Sequence, residues 1–121
     1  GLKNVTLLDK YYGLNRCLSS FDYLFMPSNY EGFGLMAVEA MMAHTLPIIN
    51  LCAGLDETVP EGWALAVRNN NVAGFRRIFN NLPSCEEYKK LTQKAYDFSL
   101  SHFSMAKMQS EYENLYKEIA K

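Results

Sequence analysis

The stretch Met26-Pro27-Ser28-Asn29-Tyr30-Glu31-Gly32-Phe33-Gly34-Leu35-Met36-Ala37-Val38-Glu39-Ala40-Met41 decides how the rest of the chain is read. Its first residue closes a short apolar run that begins at Tyr23, and Pro27-Ser28 ends that run. A loop with two glycines follows, and a helix is expected over 35–43. This is the carboxyl end of a parallel strand feeding a helix N-terminus, the place where open α/β sheets bind their ligands. Gly32 and Gly34 flank Phe33 and let the backbone approach a ligand closely, while the first free N–H groups of the helix can face a phosphate or a sugar hydroxyl. A Gly-x-Gly loop occurs in many folds, so the carboxylates around it carry more of the weight.

Outward from this stretch, apolar β-rich runs alternate with helical ones. Residues 5–8 read as a strand, 14–18 as a helix, 23–26 as a strand, 35–43 as a helix, and 47–50 and 64–67 as two further strands. The order is that of parallel βαβ units with helices over both faces of the sheet. From Asn71 onward helix follows helix, with starts at Asn71, at Ser84 with Glu87 as a capping box, and at Ser104. Met105, Met108, Tyr112, Leu115 and Ile119 form an apolar stripe expected to lie on its own domain, with a coiled coil of two heptads as the alternative. Phe98 and Phe103 are expected in the core. The fold class is α/β: a Rossmann-like three-layer α/β/α arrangement with a parallel sheet and a helical C-terminal tail. Four strands leave a sheet short, so 1–121 reads as one partial domain, truncated on its N-terminal side.

The 121 residues are 49% apolar and 13% aromatic, enough for one core. Twelve basic against thirteen acidic residues give a net charge of -1, and no Lys/Arg run exists to track a phosphate backbone, so nucleic acid is excluded as a partner. No apolar run approaches the roughly 20 residues of a membrane span. The opening residues do not read as a signal peptide. Cys17, Cys52 and Cys85 are odd in number and lack metal-ligand spacing, which points to reduced thiols in the cytoplasm and to no metal site.

Glu39 is the only charge between Leu35 and Ala43 in a helix that otherwise reads as buried. A carboxylate there needs hydrogen-bond donors, either the hydroxyls of a ligand diol or backbone amides and an Arg from elsewhere. The residues alone leave both open. Glu31, a loop carboxylate before a helix N-terminus, is favourable with the helix dipole without any functional role.

The spacing of the two glutamates resolves into a resemblance. Pro-Ser-x-x-Glu-Gly-Phe-Gly-Leu-x-x-x-Glu-Ala-Met, Pro27 to Met41, is similar to the donor-site signature of family 4 retaining glycosyltransferases. It continues through Ala43-His44-Thr45-Leu46-Pro47-Ile48-Ile49 and through Gly54-Leu55-Asp56-Glu57, and Asp22 resembles the Asp before the family's strand. Thr45 stands where the family prefers Gly, predicting a helix end without an easy positive φ. Leu51-Cys52 and a lone Gly54 replace the usual Ser-Asp/Glu and paired glycines.

The resemblance implies the C-terminal, donor-binding lobe of a two-lobed enzyme of the GT-B fold. The donor is a nucleoside-diphosphate sugar, with Glu31, Gly32, Phe33, Gly34, Leu35 and Glu39 as the donor-binding residues and Glu31 in the catalytic position. Glu39 would accept the ribose hydroxyls, Glu31 would meet the transferred sugar, and the amides around Phe33, Gly34 and Leu35 would bind sugar and diphosphate. The implied reaction is retaining hexosyl transfer to a glycan or lipid-linked acceptor, without a cofactor or metal. An acceptor-binding N-terminal lobe would be the partner, and this chain alone would be inactive. The implied location is the cytoplasm, with peripheral association of the full-length enzyme at the inner membrane face left open. His44 and His102 are read as structural. The competing readings are a non-catalytic sugar-nucleotide-binding module, an epimerase-like lobe, and a receiver or flavodoxin-like domain.

Overall fold

A computed structural model describes all of residues 1–121. Its sheet has three parallel strands in the order β1 (Tyr23–Met26), β2 (Leu46–Asn50), β3 (Ala66–Val67). Helix α1 (Leu35–Met42) makes the crossover from β1 to β2, and α2 (Val72–Asn80), α3 (Cys85–Phe103) and α4 (Met105–Ile119) follow β3. The α/β class with a parallel sheet and a helical C-terminal region is therefore as the residue pattern predicts.

The central strand shows why. All five residues of β2 are buried, and because side chains alternate along a strand, both faces of the sheet must be covered. Pro47 sits inside this strand, where a missing N–H ought to cost a ladder bond. Leu46 donates its N–H to Asp22 on the β1 side, whereas Ile49 and Leu51 donate to Leu65 and Val67 on the β3 side. By alternation Pro47 faces the β3 side too, at a level that β3 does not reach: β3 pairs only with Ile49 and Asn50. The Pro47 carbonyl instead accepts the Trp63 indole N–H at 2.9 Å. Around β2 the core gathers Ala37 and Met41 of α1, Leu55, Val59, Trp63, Phe75 of α2 and Ala95 of α3. On β1, Tyr23 meets Tyr88 of α3 edge to face, and Phe25 meets Phe75 and Phe79 of α2.

The helix starts behave as read. Asn71 accepts the Gly74 N–H at 2.9 Å, Ser84 and Glu87 form both bonds of a capping box, and Ser104 caps α4. The end of α1 differs from expectation. His44, not Thr45, takes the left-handed conformation at φ 59, with Thr45 N–H bonded to Ala40 and His44 N–H to Met41. That is a Schellman ending with a histidine in the position usually held by glycine. Thr45 is fully buried, and its hydroxyl faces the carbonyls of Leu18 at 2.6 Å and Phe21 at 3.0 Å.

Three expectations are corrected. Residues 5–8 form no strand: Val5, Leu7 and Leu8 are exposed, because the residues are β-prone but no strand lies beside them to satisfy their backbone. Residues 14–18 form two 3-10 turns, Leu14–Arg16 and Leu18–Ser20, rather than one helix. The α4 stripe does not dock on the domain. Met105, Met108, Tyr112, Leu115 and Ile119 are all exposed, and no residue of α4 is buried. The break at Ser104 turns the chain away from the sheet, and the main contact of the helix is with α3. Phe98 packs against the core and Phe103 is half-buried.

Candidate functional site

The site lies at the carboxyl ends of the three strands, where the loop after β1 meets the loop after β2. Gly34 starts α1 in the left-handed region at φ 62, with no side chain capping the helix. A Cβ there would lie 2.5 Å from the Leu55 Cδ2 and 3.0 Å from the Gly54 carbonyl, so glycine is required by both conformation and space. Gly54, at φ 85, presses against Glu31, and a side chain on it would collide with the Glu31 carbonyl. The Glu31 N–H donates to Ala53 at 3.3 Å. Two glycines thus let two loops stack backbone on backbone, fixing the entry to α1.

That entry leaves donors unused. The amides of Gly32, Phe33, Gly34, Leu35 and Met36 have no acceptor in the protein; the first bonded amide of the helix is Ala37, which donates to Gly34 at 2.9 Å. The Phe33 ring lies edge to face on Phe103, 5.5 Å between centroids, while the backbone around it stays open.

Glu31 is half-buried, and its Oε1 accepts the Ser28 hydroxyl at 2.8 Å. No cation pairs with it. The Glu39 carboxylate has neither an ion pair nor a hydrogen bond to the protein. It is half-buried rather than enclosed, so water relieves the burial cost that a fully buried helix would impose. Leu35 and Glu39, at i and i+4, share one face of α1, about 6 Å apart along the axis. Glu39 therefore stands one turn from the open amides.

Cys52 adds an electrostatic detail that its sequence position did not suggest. Burial, together with the negative charges of Glu31 and Asp56, pushes its thiol pKa up, so the thiol stays protonated beside the Glu31 loop. None of the three cysteines is in a disulfide, and no cluster of residues in the structure has metal-binding composition.

The site also contains polar residues that motif reasoning passed over. The Asn50 amide donates to the Ser28 carbonyl at 2.8 Å and its oxygen accepts the Asn70 N–H at 2.8 Å. Asn70 reaches back to the Pro27 carbonyl at 3.0 Å and to the Asn29 side chain at 2.6 Å. The one available signal was an asparagine ending an otherwise apolar strand.

Both histidines pack as structural residues. His44 stacks on Tyr96, 4.4 Å between centroids, and His102, in the last turn of α3, stacks on Phe98. Tyr88 donates its hydroxyl to the carbonyls of Asp22 and His44, tying α3 to the base of β1. A groove of about 510 Å³ lies elsewhere, between α2 and α3, lined by Leu65, Ile78 and Leu91 with Arg77 and Lys90. Leu65 precedes β3, so this groove is removed from the carboxyl ends of the strands.

Comparison with known proteins agrees with the signature. Residues 2–98 match the family described as glycosyl transferases group 1. The chain is also 32% identical, over 100 residues, to an uncharacterized glycosyltransferase of Methanocaldococcus jannaschii, covering 81% of this chain and 28% of that relative. The chain thus spans little more than a quarter of the relative's length. No solved structure matches it.

Proposed function

Because the chain belongs to the group 1 glycosyltransferases, we propose that its surface from Ser28 to Glu39 binds the nucleoside-diphosphate sugar from which the full-length enzyme transfers a hexose. The observation that carries this reading is the row of unbonded amides from Gly32 to Met36, set beside two carboxylates with no cationic partner. Free N–H groups at a helix start suit an anion, and the carboxylates suit hydroxyl donors; a nucleotide sugar offers both.

In this assignment the diphosphate faces the amides of Phe33, Gly34 and Leu35. Hydrogen bonds to a charged group contribute about 1.5–3 kcal/mol each, against about 0.3–1 kcal/mol for the helix dipole, so the directed N–H groups dominate. They act most strongly as the bond from sugar to phosphate breaks and charge gathers on the leaving diphosphate. Glu39 accepts the two ribose hydroxyls. Glu31, aimed by Ser28, accepts hydroxyls of the transferred sugar and is the catalytic candidate of this chain. Gly32 leaves room for the sugar between them.

The rest of the proposal follows the family. Transfer retains the anomeric configuration and delivers the sugar to a glycan or lipid-linked acceptor held by a second lobe. Arg and Lys side chains of the full-length enzyme neutralise the diphosphate without a metal, and the enzyme works in the cytoplasm, where it can associate with the inner face of the membrane. No helix here is long and apolar enough to cross a membrane.

The test is ligand-observed NMR of the chain with UDP-glucose, GDP-mannose and ADP-glucose, repeated on Glu39→Ala. Selective transfer to the ribose and sugar protons of one donor is expected, reduced about tenfold or more in the variant, as losing a charged hydrogen bond implies. Equal binding by both proteins would remove Glu39 from the site.

A further inference from the structure

The carboxyl ends of β1, β2 and β3 are tied by side chains as well as by the ladder, and the ties converge on one loop. Asn50, 3% exposed at the end of β2, donates to the Ser28 carbonyl and accepts the Asn70 N–H. Asn70, after β3, donates both of its amide hydrogens, one to the Pro27 carbonyl and one to the Asn29 side chain. Every bond but one thus grips the segment Pro27-Ser28-Asn29, and the next link is the Ser28 hydroxyl on the Glu31 carboxylate.

The arrangement is held against local cost. Asn69 and Asn70 are both left-handed, at φ 54 and φ 47, a conformation that non-glycine residues adopt at a penalty, least for asparagine. The Asn70 Oδ1 is shut away from solvent and has no donor, a state that folded proteins seldom tolerate without return. A simple turn between β3 and α2 would need none of this, since α2 already has its own cap in Asn71.

We propose that Asn50 and Asn70 are positioning residues of the donor site: an amide clamp that fixes Pro27-Ser28-Asn29 and, through the Ser28 hydroxyl, the aim of Glu31. The inference rests on the donor-site reading above. It assigns the clamp to the sugar end of the donor and not to the diphosphate end, because the amides of Gly34 and Leu35 are placed independently by Gly54 and Leu55.

Two variants separate this role from general stabilisation. Asn70→Gly keeps the left-handed backbone and removes both donated bonds. Asn50→Asp keeps the acceptor for the Asn70 N–H and removes the donor to Ser28. Each is compared with wild type for affinity toward UDP-glucose, GDP-mannose and ADP-glucose and toward the parent UDP, GDP and ADP, with thermal unfolding followed in parallel. The expected result is a loss of about tenfold for the bound nucleotide sugar, the effect of misaiming one charged hydrogen bond, with the parent nucleotide changed less than about twofold. An equal loss for both ligands, or no loss for either, overturns the clamp's role and leaves the donor-site reading standing. Wild type that binds no nucleotide sugar overturns both. If Asn70→Gly fails to fold, the isosteric Asn50→Asp decides between these outcomes.

Discussion

At the residue scale, single groups hold the site's two loops in place, and their removal has calculable consequences. Gly54→Ala puts a methyl group onto the Glu31 carbonyl in a left-handed conformation. Strain of about 1–2 kcal/mol from the backbone and about 1–3 kcal/mol from overpacking should lower unfolding free energy measurably in urea. A neutral Gly54→Ala would mean that the two loops are not stacked as described. Thr45→Val keeps the shape of a fully buried side chain but strips the hydroxyl from the carbonyls of Leu18 and Phe21. The Leu18 carbonyl keeps the Phe21 N–H as a donor, so a loss of about 0.5–1.5 kcal/mol is expected from removing the hydroxyl's own bond, and an unchanged denaturation midpoint would contradict it. Neither role was legible from motifs. The family pattern marked Thr45 as a departure, but it is His44 that takes the left-handed turn and Thr45 that closes the gap between the 3-10 turns and β2.

At the element scale, what could be read in the sequence divides by whether the answer is local. Strand β2 and helix α1 were legible because nearly every residue in them is apolar, and the caps at Asn71, Ser84 and Ser104 because a cap bonds within three residues. The strand expected at 5–8 failed because a strand exists only with a neighbour. The Asn50–Asn70 clamp was illegible because it depends on strand register bringing Pro27 and Asn70 together across 43 residues of sequence. The motif identified Glu31, Gly34 and Glu39 as a group, but not Ser28 as the partner of Glu31. The capping box gives a pH test. Hydrogen bonds from the Ser84 backbone N–H and hydroxyl hold the Glu87 carboxyl below its ordinary pKa. Its contribution is therefore present above the ordinary glutamate range and disappears as pH falls through the lowered value in the folded state. Protection of the amides in the first turn of α3, taken relative to their intrinsic exchange rates, should fall over that acidic window in wild type and show no such step in Glu87→Gln; identical profiles would rule the box out as a source of pH dependence.

At the scale of the whole molecule, the sheet and α1 to α3 form one body, and α4 projects from it. Periodicity announced α4 as an amphipathic helix, but an apolar stripe does not specify what it packs against, and here the stripe is left exposed. Deleting residues 105–121 should shift the melting temperature by less than about 4 °C, the change that about 1 kcal/mol produces in a domain of this size. A larger drop would show that α4 folds back onto the core. The unused amides at the start of α1 and the two glutamates without a cationic partner remain the feature on which the functional account depends. They are mapped most directly by titrating ¹⁵N-labelled chain with a nucleotide sugar and following every amide. The account predicts that the largest shifts fall on Glu31 to Met36 and Glu39, saturating together. Shifts centred instead on Leu65, Arg77 and Leu91, in the groove between α2 and α3, would place the ligand elsewhere and contradict it.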